Sequence, residues 1–214
     1  MKRLCALMLV LPLAACSAGG FEFPSIASLF DTTQPETRPL TAAIAPAARP
    51  ASGELRSMTV TSLLDGSRTT FSVRAYGNGI RVSESNGCTW TRARDWFSPS
   101  DSWANCGTSN NWHTAQAKVR ELDPVYPLKV GEVGRYHRDA VSHSGRSYSR
   151  ETRCEVTGAV ELLRPGLEPT PAYVVACDDS RRIRTTWYAP GEGPVAYREE
   201  HRRHGVQEAW IRTP

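Results

Sequence analysis

The sequence predicts an all-β protein: an antiparallel meander forming a curved sheet, an open barrel or a sandwich, with a long disulfide-stapled loop. Three observations carry that prediction. Polar and apolar residues alternate with period two in a series of short stretches, as they do on strands with one buried face. Turn signals such as Asp65-Gly66, Gly77-Asn78-Gly79 and Asn86-Gly87 separate those stretches. Four cysteines fall inside the alternating region, where they can staple it.

Residues 1–15 open with Lys2 and Arg3, continue with an apolar run from Leu4 to Leu13, and end on Ala14 and Ala15, the anatomy of a secretory signal. The run is too short to cross a bilayer, which takes about 20 apolar residues. Leu13-Ala14-Ala15-Cys16 resembles the lipobox of bacterial lipoproteins, a likeness confined to the first 16 residues. The resemblance implies cleavage before Cys16, diacylglycerol on its sulfur and a further acyl chain (palmitate or similar) on its new amino group. Two or more chains anchor stably where one does not, so the membrane is an expected partner. Ser17, in place of Asp, implies by the same resemblance the periplasmic face of an outer membrane where the organism has one.

Removing residues 1–15 from the 214 leaves 199, enough for one domain with a core. The net charge of +4 includes Lys2 and Arg3, so the mature chain is near +2 and points to no nucleic-acid partner. Residues 16–53 are expected to be the lipidated Cys16 and a disordered tether, because Pro24, Pro35, Pro39, Pro46 and Pro50 interrupt any apolar pattern. As a coil this tether averages about 35 Å end to end.

Residues 54–214 are expected to form a single β domain of roughly ten strands. Alternation runs through Met58–Thr61, Thr69–Tyr76, Ile80–Ser83 and Cys88–Thr91. Residues 93–115 follow as one irregular insertion with Trp96, Trp103 and Trp112. Strands resume at Ala117–Arg120, Gly134–Val141 and Tyr148–Val156, with a turn at Thr157-Gly158 before Ala159–Leu163. Ala172–Cys177, Ile183–Tyr188, Val195–His201 and Val206–Ile211 complete the set.

Of the six cysteines, Cys5 leaves with the signal and Cys16 carries lipid. Cys88, Cys106, Cys154 and Cys177 remain, an even number in an exported chain, and so are read as two disulfides. Of three pairings, the local one is expected, Cys88–Cys106 and Cys154–Cys177. A turn at Thr157-Gly158 would place Cys154 and Cys177 two strands apart, so their bond would need a curved sheet or a favourable register. No Cys-x-x-Cys spacing occurs, and neither a metal centre nor a cofactor is expected.

Leu128-Lys129-Val130-Gly131 and Trp187-Tyr188-Ala189-Pro190-Gly191-Glu192-Gly193 resemble elements of a family of uncharacterised exported bacterial β domains, over about residues 126–200. Pro169-Thr170-Pro171-Ala172-Tyr173 departs from that family's usual turn. The resemblance implies a curved antiparallel sheet or open barrel and no particular activity.

The polar clusters offer no catalytic constellation. His201 and His204 are three apart, which on a strand points them to opposite faces unless the turn at Gly205 bends them together. Asp178-Asp179 reads as a charged turn. His113, His137 and His143 sit beside no G-x-S-x-G or H-E-x-x-H pattern. Trp90, Trp96, Trp103 and Trp112 lie within 23 residues of a segment rich in Asn, Ser and Thr. Aromatic faces beside amide donors suit sugar rings or peptides, so Trp96, Trp103, Trp112 and His113 are the candidate ligand surface. The expected function is a non-catalytic binding or structural module of the envelope, its ligand open, with an envelope protein or a glycan as the candidate partner. Its alternatives are a carrier or sensor of an apolar ligand and an enzyme acting on peptidoglycan or another glycan.

Overall fold

The structure, a computed structural model, describes residues 32–51, 54–107 and 111–214. The expected signal segment, Cys16 and the expected tether as far as residue 31 lie outside the described residues. Thirteen strands are present: β1 (Thr37–Pro39), β2 (Met58–Ser62), β3 (Arg68–Tyr76), β4 (Gly79–Glu84), β5 (Thr89–Arg92), β6 (Ser100–Ala104), β7 (Ala115–Asp123), β8 (Val133–Ser142), β9 (Ser147–Leu162), β10 (Thr170–Asp178), β11 (Arg182–Ala189), β12 (Gly193–His201) and β13 (Gly205–Thr213). β2 to β13 pair in succession, each antiparallel to the next, and β13 pairs back onto β2. The result is a closed twelve-stranded barrel, with β1 added outside on the far part of β9.

The all-β antiparallel fold is the expected one, and closure leaves the barrel without free edges. Both disulfides join the expected partners, Cys88–Cys106 and Cys154–Cys177. Three expectations are corrected. First, Thr157-Gly158 is not a turn. β9 runs unbroken for 16 residues, and the register slips beside Gly158, opposite Val174 and Val175. Gly in a strand interior marks such bulges as well as turns. Cys154 and Cys177 are therefore direct neighbours on β9 and β10. Second, residues 93–115 are not one loop, because β6 divides them.

Third, residues 32–51, expected to belong to the tether, do not hang free. From residue 32 the chain packs on the barrel. β1 pairs with β9, Ala47 bridges Leu128, and Tyr173 Oη donates to the Ala45 carbonyl at 3.0 Å. Arg49 crosses to Asp95 at 3.1 Å and also pairs with Glu121.

A barrel of twelve strands is wider than its own inward side chains can fill, since about eight strands mark that limit. The chain supplies a plug at one end. Residues 93–99 fold into the lumen, with Asp95, Trp96, Phe97, Ser98 and Pro99 all buried. Asp95 organises the plug by accepting the backbone N–H groups of Phe97 and Ser98, both at 2.9 Å. Burial pushes the Asp95 carboxyl up, and Arg49 opposes that shift. Gly79 permits the inward dive: a Cβ there would lie 1.9 Å from the Arg92 carbonyl oxygen. Around the plug the inward residues are apolar, among them Val60, Phe71, Val82, Val156 and Val175. A second cluster around Trp187, Leu162, Ala172 and Ile211 lies on the other face of the sheet.

The outward faces of β7, β8 and β9 carry charges paired along the surface, such as Arg135 with Asp123 at 2.6 Å and Arg120 with Asp139 at 3.8 Å. A lipid-facing wall is an apolar band; this part of the wall suits water.

Candidate functional site

Above the plug the inward residues change from apolar to polar, and the lumen stays open. The cavity measures about 1080 Å³ and opens among the turns that include Asn86, Asn105, Arg146 and Arg181. Six strands contribute inward groups to its lining: Glu84 from β4, Arg92 from β5, Trp103 from β6, Arg138 from β8, Arg150 from β9 and Glu208 from β13.

Three of the four sequence candidates belong to this cavity. Trp103 and Trp112 stand at its mouth with rings stacked at 6.4 Å and 24°, and Tyr148 tilts against Trp112 at 4.9 Å. Trp103 Nε1 donates to the Trp112 carbonyl at 2.6 Å, which ties β6 to the mouth loop that Cys88–Cys106 also holds. Trp96 is 3% exposed and forms the floor, edge-on to Trp90 and Trp210. His113 does not line the cavity; its ring packs on His143 at 4.4 Å. The expected surface is thus two rim residues, one floor residue and one bystander.

The residues that sequence reasoning missed are arginines. Seven arginines and four carboxylates line the cavity among the described residues. Each carboxylate has donors. Glu84 accepts from Trp90 Nε1 at 3.3 Å, Glu208 from Trp210 Nε1 at 2.9 Å, and Glu199 from Arg182 at 2.9 Å. Asp179 is 3% exposed and accepts the backbone N–H groups of Arg181 and Arg182. Burial opposes its charge, yet Arg184 at 3.5 Å, those N–H groups and Arg150 at 3.7 Å hold its carboxyl below the usual range.

The deep arginines lack acceptors. Arg92 is 8% exposed, and its guanidinium has no carboxylate and no hydrogen bond among the described residues; it lies between the rings of Trp90 at 4.6 Å and Trp96 at 5.0 Å. Burial, and then Arg184, push its pKa down to about 10. Arg138, 9% exposed, likewise has no carboxylate and no hydrogen bond among the described residues and lies over the rings of Trp103 and Tyr148.

Of the two polar pairs, Asp178-Asp179 sits where β10 ends and its turn begins, as expected, and the histidine pair differs from expectation. Asp178 and Asp179 diverge: Asp179 points to the lumen, while Asp178 pairs with Arg202 outside. His201 and His204 do meet, with ring centroids 4.5 Å apart, because His204 lies in the β12–β13 turn rather than on the strand. Burial and the neighbouring His204, Arg182, Arg181 and Arg203 push His201 below its ordinary pKa. Glu208 opens onto the cavity, and its carboxyl is pushed up to about 7 by burial, by Glu199 directly opposite on β12, and by Glu84.

Neither a family model, nor a curated protein, nor a solved structure matches this chain.

Proposed function

We propose that the protein is a lipid-anchored binding module of the bacterial envelope, whose barrel cavity holds a small ring-bearing ligand without transforming it. The observation that carries this reading is the open cavity of about 1080 Å³ with Trp103, Trp112 and Tyr148 stacked at its mouth. Ligand sites are concavities of about this size in which aromatic faces supply contact and a few polar groups fix orientation. Glycan rings or the rings of other small molecules suit such a rim. A purely apolar ligand suits it less, because hydrocarbon against the buried guanidiniums of Arg92 and Arg138 would leave both without partners.

Removing both rim indoles tests the reading. The Trp103→Ala/Trp112→Ala chain is expected to keep its fold by circular dichroism and to lose at least tenfold of any small molecule that co-purifies with the wild type, read by extraction and mass spectrometry. Unchanged ligand content would refute it. The anchor is tested separately. Cys16→Ser is expected to move the protein from the membrane fraction to the soluble fraction; a protein that stays membrane-bound would remove the lipobox argument.

A further inference from the structure

We infer that the wall of this cavity contains an oxyanion subsite, built by Arg92, Arg138 and Arg150, which takes the carboxylate or phosphate group of a ring-bearing organic ligand. The inference rests on the binding reading above and names its ligand class.

Three observations carry it. The first is the imbalance of partners. Each carboxylate in the cavity accepts from at least one donor, whereas among the described residues the four inward guanidiniums of Arg92, Arg138, Arg150 and Arg184 have only Asp179 within ion-pair distance. What this arginine wall lacks is acceptors. Nε of Arg92, Arg138 and Arg184 are all buried without a hydrogen bond.

The second is placement. Arg138 and Arg150 are direct cross-strand partners on β8 and β9, both lining the cavity, and their guanidiniums lie over the same Tyr148 ring at 5.2 and 5.0 Å. Like charges directly opposite on one face of a sheet destabilise it. Unpaired buried charges cost more still. Cation–π contacts return only part of that cost, so the fold carries a local deficit that one bound oxyanion removes. Arginine forks match planar carboxylates and phosphates with two parallel hydrogen bonds.

The third is the neighbourhood. Trp103 and Trp112 stand above the arginines, and Trp90 beside Arg92, so a ligand whose anionic group reaches the arginines lays its ring against indole.

Isothermal titration of the full-length protein with three probes tests the inference: 1-naphthyl phosphate, 1-naphthoate and 1-naphthol. At least one of the two anions is expected to bind tenfold or more tightly than the uncharged 1-naphthol, and which one binds tighter identifies the oxyanion. Arg92→Gln and Arg138→Gln are each expected to weaken the preferred anion roughly tenfold, the worth of one charge-assisted hydrogen bond. Neither should weaken 1-naphthol binding, and both should keep the wild-type near-ultraviolet circular dichroism. Equal binding of all three probes, or anion binding untouched in both folded variants, would overturn the subsite and leave the cavity reading intact. Absence of binding by all three would overturn both.

Discussion

Trp96→Ala is expected to destabilise the protein by about 3–5 kcal/mol, the usual cost of emptying a buried tryptophan site. Trp96 sits in the plug at 3% exposure, and its ring meets Trp90 at 5.4 Å, Trp210 at 6.3 Å and the Arg92 guanidinium at 5.0 Å. The substitution therefore removes buried area, two edge-to-face ring contacts and one of the two indoles flanking an unpaired cation. Neighbouring strands cannot collapse into the gap, because their spacing is fixed by a closed ring of backbone hydrogen bonds. For a domain of this size the melting temperature should fall by roughly 10 °C. Equilibrium denaturation in urea measures the loss. A change below about 1 kcal/mol would mean that the plug does not belong to the core.

Replacing Cys154 and Cys177 together by alanine is expected to cost about 3 kcal/mol. The bond closes a loop of 23 residues' separation, and chain entropy in the unfolded state sets a figure of that size. Both cysteines are buried in the main core, joining β9 to β10 where the sheet bulges at Gly158, so their loss acts on the whole barrel. The same chain-entropy argument gives Cys88–Cys106 a comparable value, but that bond lies at the mouth and holds the loop between β6 and β7. Its removal should loosen Trp112 before it unfolds the barrel. Urea denaturation separates the two: a double alanine variant at Cys154 and Cys177 as stable as the wild type would contradict the core staple.

Most strands were legible because one face of each meets the core. Phe71 and Val73 in β3, and Val82 in β4, announce themselves by alternation. β6 was not legible. Its sequence, Ser100-Asp101-Ser102-Trp103-Ala104, has one large apolar residue, and that residue faces the cavity rather than the core. β9 was cut in two because Gly158 carries the same signal in a bulge as in a turn. The docking of residues 32–51 left no local sign, since backbone pairing at Thr37–Pro39 and the crossing of Arg49 to Asp95 depend on partners more than 40 residues away. Local spacing did identify the disulfide pairs, because hairpin neighbours are close in sequence as well as in space.

The site was half legible. Trp103 and Trp112 stand out by composition. Arg92, Arg138 and Arg150 did not, because arginine on a strand is ordinarily read as its outward face. The parity signal was present: Arg138 keeps step with the buried Tyr136 and Ala140, while Arg135 and Asp139 fall on the exposed side. An arginine in phase with the buried residues of its strand points into the barrel, and that rule would have found the basic wall from the sequence. His113 fails the same kind of test, lying in the mouth loop rather than on a strand with a defined inward face.

The central claim is that the polar upper half of the lumen is a binding site. Native mass spectrometry of the full-length protein, purified from a bacterial envelope in mild detergent, tests it most directly. The account predicts a native mass that exceeds the denatured mass by one small molecule, released when acid unfolds the barrel. Fragmentation of that molecule should reveal a ring and a carboxylate or phosphate. Equal native and denatured masses would contradict the account, leaving a barrel with an empty, water-filled mouth.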